Sequence, residues 1–563
     1  MATTGILRTR RSAAQRHALA SVEREIGTVD RGRLRKYIRN FHDAYRTYRA
    51  VISLDEVKRQ IAGAGIVLFG DYHALPNSQN YIASLLADSE MRGRPTVLGV
   101  ETIFSRDQHI LDEWQRGEID EEELRERIRF DLDWGYDWDP FYQLLCTARN
   151  RGVPVYGMDC LPRQDLRKIG ARDRHAANRV AEICARHPDA LILVLFGESH
   201  LAPQHLPALI QELLPQEHLL AVLMNVDALY WRAAGEAHDH VEAVQVSDEV
   251  VCVFDATPLE KYENYRLCLD RWGRDDDSAP DAGPTFYNLV DGMVRFLGFN
   301  KYSPHNTTQP KLLVDAMPEV YSRNSDVLLR RLLSRKGFTA ESRENLLRRV
   351  RDRGSVYLAP INTVYVRDFY LQSCAEDATR FLHQACRGLP NRRDGKPALI
   401  SRGSASQKVD DHEDNFYIGV LEQALAFFGS RVLHPARPAF RDADLCALLD
   451  VTREDLEHET GLRFADAVNA VQFLQQHRET WATLSSSTRG RRKVEGHVPD
   501  FSGRTNHYII ERLGHLTGTD IYDAYIEGRL STHALRKLFL THIERPGLAR
   551  ETYCQLSRWL EAK

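Results

Sequence analysis

Between residues 60 and 260 of this 563-residue chain, apolar runs of strand length alternate with amphipathic stretches. The runs at 65–69, 96–100, 154–157, 191–196, 219–223 and 250–254 are nearly continuous in apolar residues. That is the pattern of strands covered on both faces. Helical spacing falls between them, at 78–89, 106–116, 121–130, 140–151, 173–186 and 206–214. The alternation predicts an α/β fold, a mostly parallel sheet sandwiched by helices. Upstream, Tyr37, Phe41, Tyr45 and Tyr48 recur at helical spacing within 33–48 and predict a helix that docks one face on the main domain.

Beyond 260 the pattern changes. Residues 270–284 carry five aspartates and two prolines and read as a linker. Helical periodicity then dominates at 326–353, 368–387, 415–429 and 534–543, with polar breaks at 388–413 and 485–505. The expected organisation is a helical segment over 1–60, an α/β domain over 61–265, a linker over 266–285 and a large, mainly α-helical C-terminal region over 286–563.

Composition removes several classes of function. With 75 basic against 79 acidic residues and a net charge of −4, no global field favours nucleic acid. No run reaches the ~20 apolar residues of a membrane span. No apolar segment follows Arg8, Arg10 and Arg11, so no secretory signal is expected. The nine cysteines are scattered and never form Cys-x-x-Cys, which argues against a disulfide framework and a thiolate zinc site. A cytoplasmic location is the expectation.

The chemistry lies at strand ends. One run closes on Gly70, Asp71, Tyr72 and His73, another on Gly197, Glu198, Ser199 and His200, and a third, 96–100, delivers Glu101. Carboxyl ends of strands are where open α/β sheets bind ligands. Two imidazoles with a carboxylate suit a divalent Mn, Co, Zn or Fe ion, so His73, Glu101 and His200 are candidate metal ligands. Asp71 or Glu198 would then move the proton. The same residues permit metal-free chemistry, a histidine acting as base on a water oriented by an acid. The aromatic cluster around Trp134, Tyr136 and Trp138 is a candidate pocket wall, or a surface for a planar ligand. Asp159 follows another strand and is a candidate lining residue. Tyr72 is a candidate phenolate ligand for haem iron.

The ordered set of 67–73, 98–101, 135–142, 152–159, Arg172-Asp173 and 197–200 resembles the superfamily that groups ChaN haem-binding proteins, Tiki metalloproteases, TraB proteins and erythromycin esterases, most of all its ChaN-like branch. The resemblance covers about 60–260. It implies a site core of His73, Glu101 and His200 with Glu198 beside them, and places Arg172 and Asp173 near the pocket. It departs at Asp71, where many relatives carry the longer Glu. Some members hydrolyse esters or peptides and others bind haem. Three functions follow, in order of expectation. The first is a metal-dependent hydrolase of an ester or amide bond in a small-molecule or peptide substrate. The second is a haem-binding protein without turnover. The third is an accessory protein that meets a protein partner through its helical region.

Overall fold

The computed structural model describes residues 2–30, 36–88, 93–161, 169–236, 241–274, 279–300, 313–322, 325–387, 412–486, 501, 503–543 and 545–561. The chain forms two compact units, residues 22–277 and residues 1–21 with 278–563. Helix α1 (Ala2–Val29) contributes to each.

The first unit is an α/β sandwich. Its strands are β1 (Ala50–Ile52), β2 (Ile66–Asp71), β3 (Thr96–Phe104), β4 (Val155–Asp159), β5 (Leu191–Gly197), β6 (Leu219–Met224), β7 (Ala243–Ser247) and β8 (Val250–Val253). They form one sheet in the order β1-β7-β8-β6-β2-β5-β3-β4. Pairing is parallel from β8 to β4, and antiparallel where β7 meets β1 and β8. Period-two alternation splits each central strand between two cores. Val67, Phe69, Leu193 and Leu195 face one side, against α3 (Leu54–Gly63), α4 (Asn77–Ala87), α5 (Gln108–Gln115), α6 (Glu121–Arg127), α7 (Phe130–Asp133) and α8 (Trp138–Asn150). Ile66, Leu68, Ile192 and Val194 face the other. That second core is closed by Phe41 of α2 (Lys36–Ala44), α9 (Ile169–Arg186), α10 (Leu206–Leu213) and α11 (Asp227–Glu236).

Three details differ from the sequence expectation. β1 and β7 were not expected, because β1 is short and largely exposed and β7 alternates with polar residues. The third run does not end at Val100: β3 continues to Phe104, and its pairing with β4 shifts register between Val100 and Phe104. Helix α12 (Pro258–Trp272), capped by Thr257, runs into the expected linker, and α13 (Gly283–Leu297) begins inside it.

The second unit is mainly helical. It comprises α13, α14 (Asp326–Arg335), α15 (Ala340–Arg353), α16 (Leu371–Arg387), α17 (His412–Leu433), α18 (Asp442–Ala447), α19 (Arg453–Thr460), α20 (Phe464–Ser486), α21 (Gly503–Ile526), α22 (Thr532–Leu540) and α23 (Leu548–Glu561). A small sheet that the sequence did not suggest, β9 (Glu319–Ser322), β10 (Ser355–Leu358) and β11 (Thr363–Val366), is ordered β10-β11-β9. Among the described residues one helix, α17, is long and apolar enough to cross a bilayer. Its side chains are mostly buried in this unit's core. It packs on α21, where a Cβ on Gly518 would stand 2.6 Å from the Ala424 carbonyl oxygen, so only glycine permits that approach. Most of each polar break lies outside the described residues.

Candidate functional site

β2, β5 and β3 are neighbours in the sheet, with Asp71 opposite Gly197 and Val100 opposite Leu195. The three expected strand ends therefore converge. Glu101 lies in the stretch where β3 loses register with β4, and such irregularities re-aim side chains beside sites. Its carboxylate stands between the two histidines. His73 Nε2 is 4.0 Å from Glu101 Oε2, and His200 Nε2 is 3.9 Å from Glu101 Oε1.

Each histidine is anchored through its other nitrogen. His73 Nδ1 is 2.9 Å from Asp71 Oδ2, and the Gln79 amide donates to both Asp71 oxygens at 3.1 Å. His200 Nδ1 is 2.5 Å from Asp173 Oδ1. With Nδ1–H directed at a carboxylate, each ring turns a lone pair at Nε2 towards Glu101. The pairs differ in access. The His73 side chain is 23% exposed and that of His200 only 4%.

Glu101 is fixed by a buried cation. Arg172 donates to Glu101 Oε1 and, bidentately, to Asp159 at 2.8 and 2.9 Å. Burial alone would lower the Arg172 pKa, but Glu101 and Asp159 outweigh it and hold the guanidinium above its ordinary value. The Gly197 N–H donates to Glu101 Oε2. A Cβ at Gly197 would lie 3.1 Å from Glu101 Oε2 and 3.2 Å from His73 Nε2. Gly197→Ala is therefore expected to force these groups apart and destabilise the unit by about 1–3 kcal/mol, read from its urea-unfolding midpoint. An unchanged midpoint would show that the close approach carries no strain.

Tyr37, expected only as part of a docking face, reaches this site. Its hydroxyl donates to Asp173 Oδ2 at 2.7 Å and lies 3.0 Å from His200 Nδ1, while its ring stacks on His205 at 3.7 Å. Burial, then the Asp173 charge, raises its pKa far above the usual phenol value, so it stays a donor. Tyr37→Phe keeps the stack and removes the donor. The expected cost is about 1–2 kcal/mol, with a changed His200 ring-nitrogen NMR signal. Unaltered stability and signal would reduce Tyr37 to packing. The spacing of 33–48 marked the face, but nothing in it marked the hydroxyl.

The remaining expected residues fall into place unevenly. Trp134 and Tyr136 lie against His73, with ring centroids 4.4 and 5.3 Å away. Burial holds the Tyr136 phenol above its usual pKa. Trp138 belongs elsewhere: it is buried in the core, stacked on Tyr142, and donates to Glu121 at 2.8 Å. Glu198 is not a free acid or base, because the buried Lys261 ammonium holds both its oxygens at 3.0 Å. The same ammonium lies 4.4 Å over the Tyr72 ring. Asp71 and Asp173 orient imidazoles.

Among the described residues, no group of three or more His, Cys, Asp or Glu is arranged to hold an ion. The donor types are present, but the carboxylate that would bind a dication is already neutralised by Arg172 and bonded to the Gly197 amide. The residues therefore do not fit a resident divalent cation.

Residues 57–182 match the family described as haem-binding uptake, Tiki superfamily, ChaN, and this region is a ChaN-like domain. No curated protein matches the chain. Two solved structures are similar to parts of it. One, on cofacial heme binding to ChaN of Campylobacter jejuni, is 15% identical, with 31% of this chain and 86% of that chain covered and a TM-score of 0.26. The other, the type III effector HopBA1, is 14% identical, with 37% and 96% covered and a TM-score of 0.25.

Proposed function

We propose that the α/β unit hydrolyses an ester or amide bond in a small-molecule or peptide substrate, with His73 as general base and no step routed through a metal. The observation that carries this is the 4.0 Å gap between His73 Nε2 and Glu101 Oε2. A water within hydrogen-bond distance, about 2.8 Å, of both atoms bridges such a gap. Asp71, held by Gln79, keeps the His73 proton on Nδ1. Nε2 then takes a proton from the water as its oxygen bonds to the substrate's carbonyl carbon. When the tetrahedral intermediate collapses, the carbon–oxygen or carbon–nitrogen bond breaks and the His73 imidazolium returns the proton to the leaving group. Trp134 and Tyr136 would line the substrate side. Turnover of ester and amide substrates that survives EDTA and is lost in His73→Ala supports this reading, and turnover restored only by added metal would reject it.

A second reading, haem binding without turnover, is favoured by the family description and by one observation. His73 is an anchored, partly exposed imidazole beside two aromatic rings. Those residues fit a planar iron ligand, with His73 Nε2 as the donor. Haem would supply an iron centre as cargo. Haemin titration separates the readings: a Soret shift that needs His73, with no turnover, would select the second.

A further inference from the structure

Where α13 ends and α22 begins, beside α1, the helical unit encloses a cavity of about 560 Å³. Sites that hold a small organic molecule span roughly 300–1,000 Å³, so the space exceeds what a bare ion needs. Phe296, Leu297 and Ala13 supply apolar lining, and Arg295, Arg536 and His533 supply basic lining. The end of α13 and the start of α22 carry opposite dipole ends that offset one another, so side chains decide the charge. No acid is among the lining residues. Asp291, one turn before Arg295 on α13, reaches His17 Nε2 at 3.1 Å and Arg295 Nε at 3.8 Å. The Arg295 side chain is 61% exposed, and so long and exposed a pair holds it weakly. Arg536 pairs with no carboxylate among the described residues. Its guanidinium lies 5.4 Å over the Phe299 ring, and a Cβ on Gly298 would stand 3.8 Å from its Nη1. Two guanidinia thus stand against one carboxylate that also serves His17. The flanking sequence adds no opposing charge: residues 1–12 and 301–312 contain Arg8, Arg10, Arg11, Lys301 and Lys311 and no acid.

We infer that this cavity binds an amphiphilic phosphate monoester, its phosphate taken by Arg295 and Arg536 and its apolar body laid on Phe296 and Leu297. Guanidinia match phosphate oxygens bidentately, and a dianion answers both charges where a carboxylate answers one. The apolar lining is surface that a free phosphate would leave unused.

The test is isothermal titration calorimetry of the full chain with 1-naphthyl phosphate as the probe. One site per chain is expected, with inorganic phosphate and 1-naphthol each bound about tenfold or more weakly. Arg536→Met should weaken the probe by about tenfold or more. Ala13→Trp keeps both guanidinia, fills the cavity from an exposed position on α1, and should abolish binding; it decides alone if Arg536→Met does not fold. His73→Ala should bind as the parent does, which separates this site from the α/β unit. No binding, binding undiminished in Arg536→Met or Ala13→Trp, binding lost in His73→Ala, or equal affinity for 1-naphthol or inorganic phosphate overturns the inference.

Discussion

His73→Ala is expected to lower kcat/KM for ester or amide hydrolysis by about a hundred- to ten-thousand-fold while leaving the fold intact. The size follows from the role: a general base removed from a site whose other groups stay in place costs what proton transfer contributed. The fold survives because His73 is the accessible member of the two aspartate–histidine pairs, with a 23% exposed side chain. Asp71 keeps two hydrogen bonds from Gln79 when the ring is gone. Asp71→Asn is expected to cost less than His73→Ala, because the ring remains and only its tautomer is released. Steady-state kinetics beside melting curves for the two variants decide it. Turnover retained in His73→Ala sinks the assignment, and a loss that tracks unfolding makes His73 structural.

Much of this site was legible along the chain because its chemistry is local to two strand ends. Gly70-Asp71-Tyr72-His73 and Gly197-Glu198-Ser199-His200 each announce a buried strand that stops at an acid and a histidine, and β2 and β5 prove to be adjacent. What each acid does was not legible. Asp71 turns a ring and Glu198 is consumed by Lys261, a partner that lies beyond three further strands. What bears on the metal expectation was hidden for the same reason. Residue types at Glu101, His73 and His200 were right for an ion, but the Arg172 charge against Glu101 depends on folding. Glu101 itself was read as a strand end, whereas it is a mid-strand residue re-aimed by a register shift. In the helical region, Arg353 and Glu511 are 158 positions apart, and helical periodicity carries no trace of such a pair.

Arg172→Met should produce the largest stability loss in the α/β unit, about 3–5 kcal/mol. Methionine fills similar space, so the cavity contribution is small and the loss is electrostatic. Asp159 is fully buried and Glu101 is 4% exposed. Without the guanidinium, Asp159 loses two hydrogen bonds at 2.8 and 2.9 Å, and Glu101 keeps the Gly197 amide as its close donor. Two buried carboxylates that lose their shared guanidinium are far costlier than an exposed pair that is broken. The pH dependence has a definite sign. With the Arg172 charge removed, burial disfavours the charged carboxylates, so in the variant the folded chain binds protons more tightly than the unfolded one. Stability of the variant is then retained at low pH and lost as pH rises, and its deficit deepens between about pH 5 and about pH 8. Removing one stranded charge as well, in Arg172→Met with Asp159→Asn, should recover part of the loss. Urea unfolding of the parent and both variants across that range measures all three effects. A deficit below about 1 kcal/mol, or one that shrinks as pH rises, would mean that Arg172 is not what holds Glu101 between the two histidines.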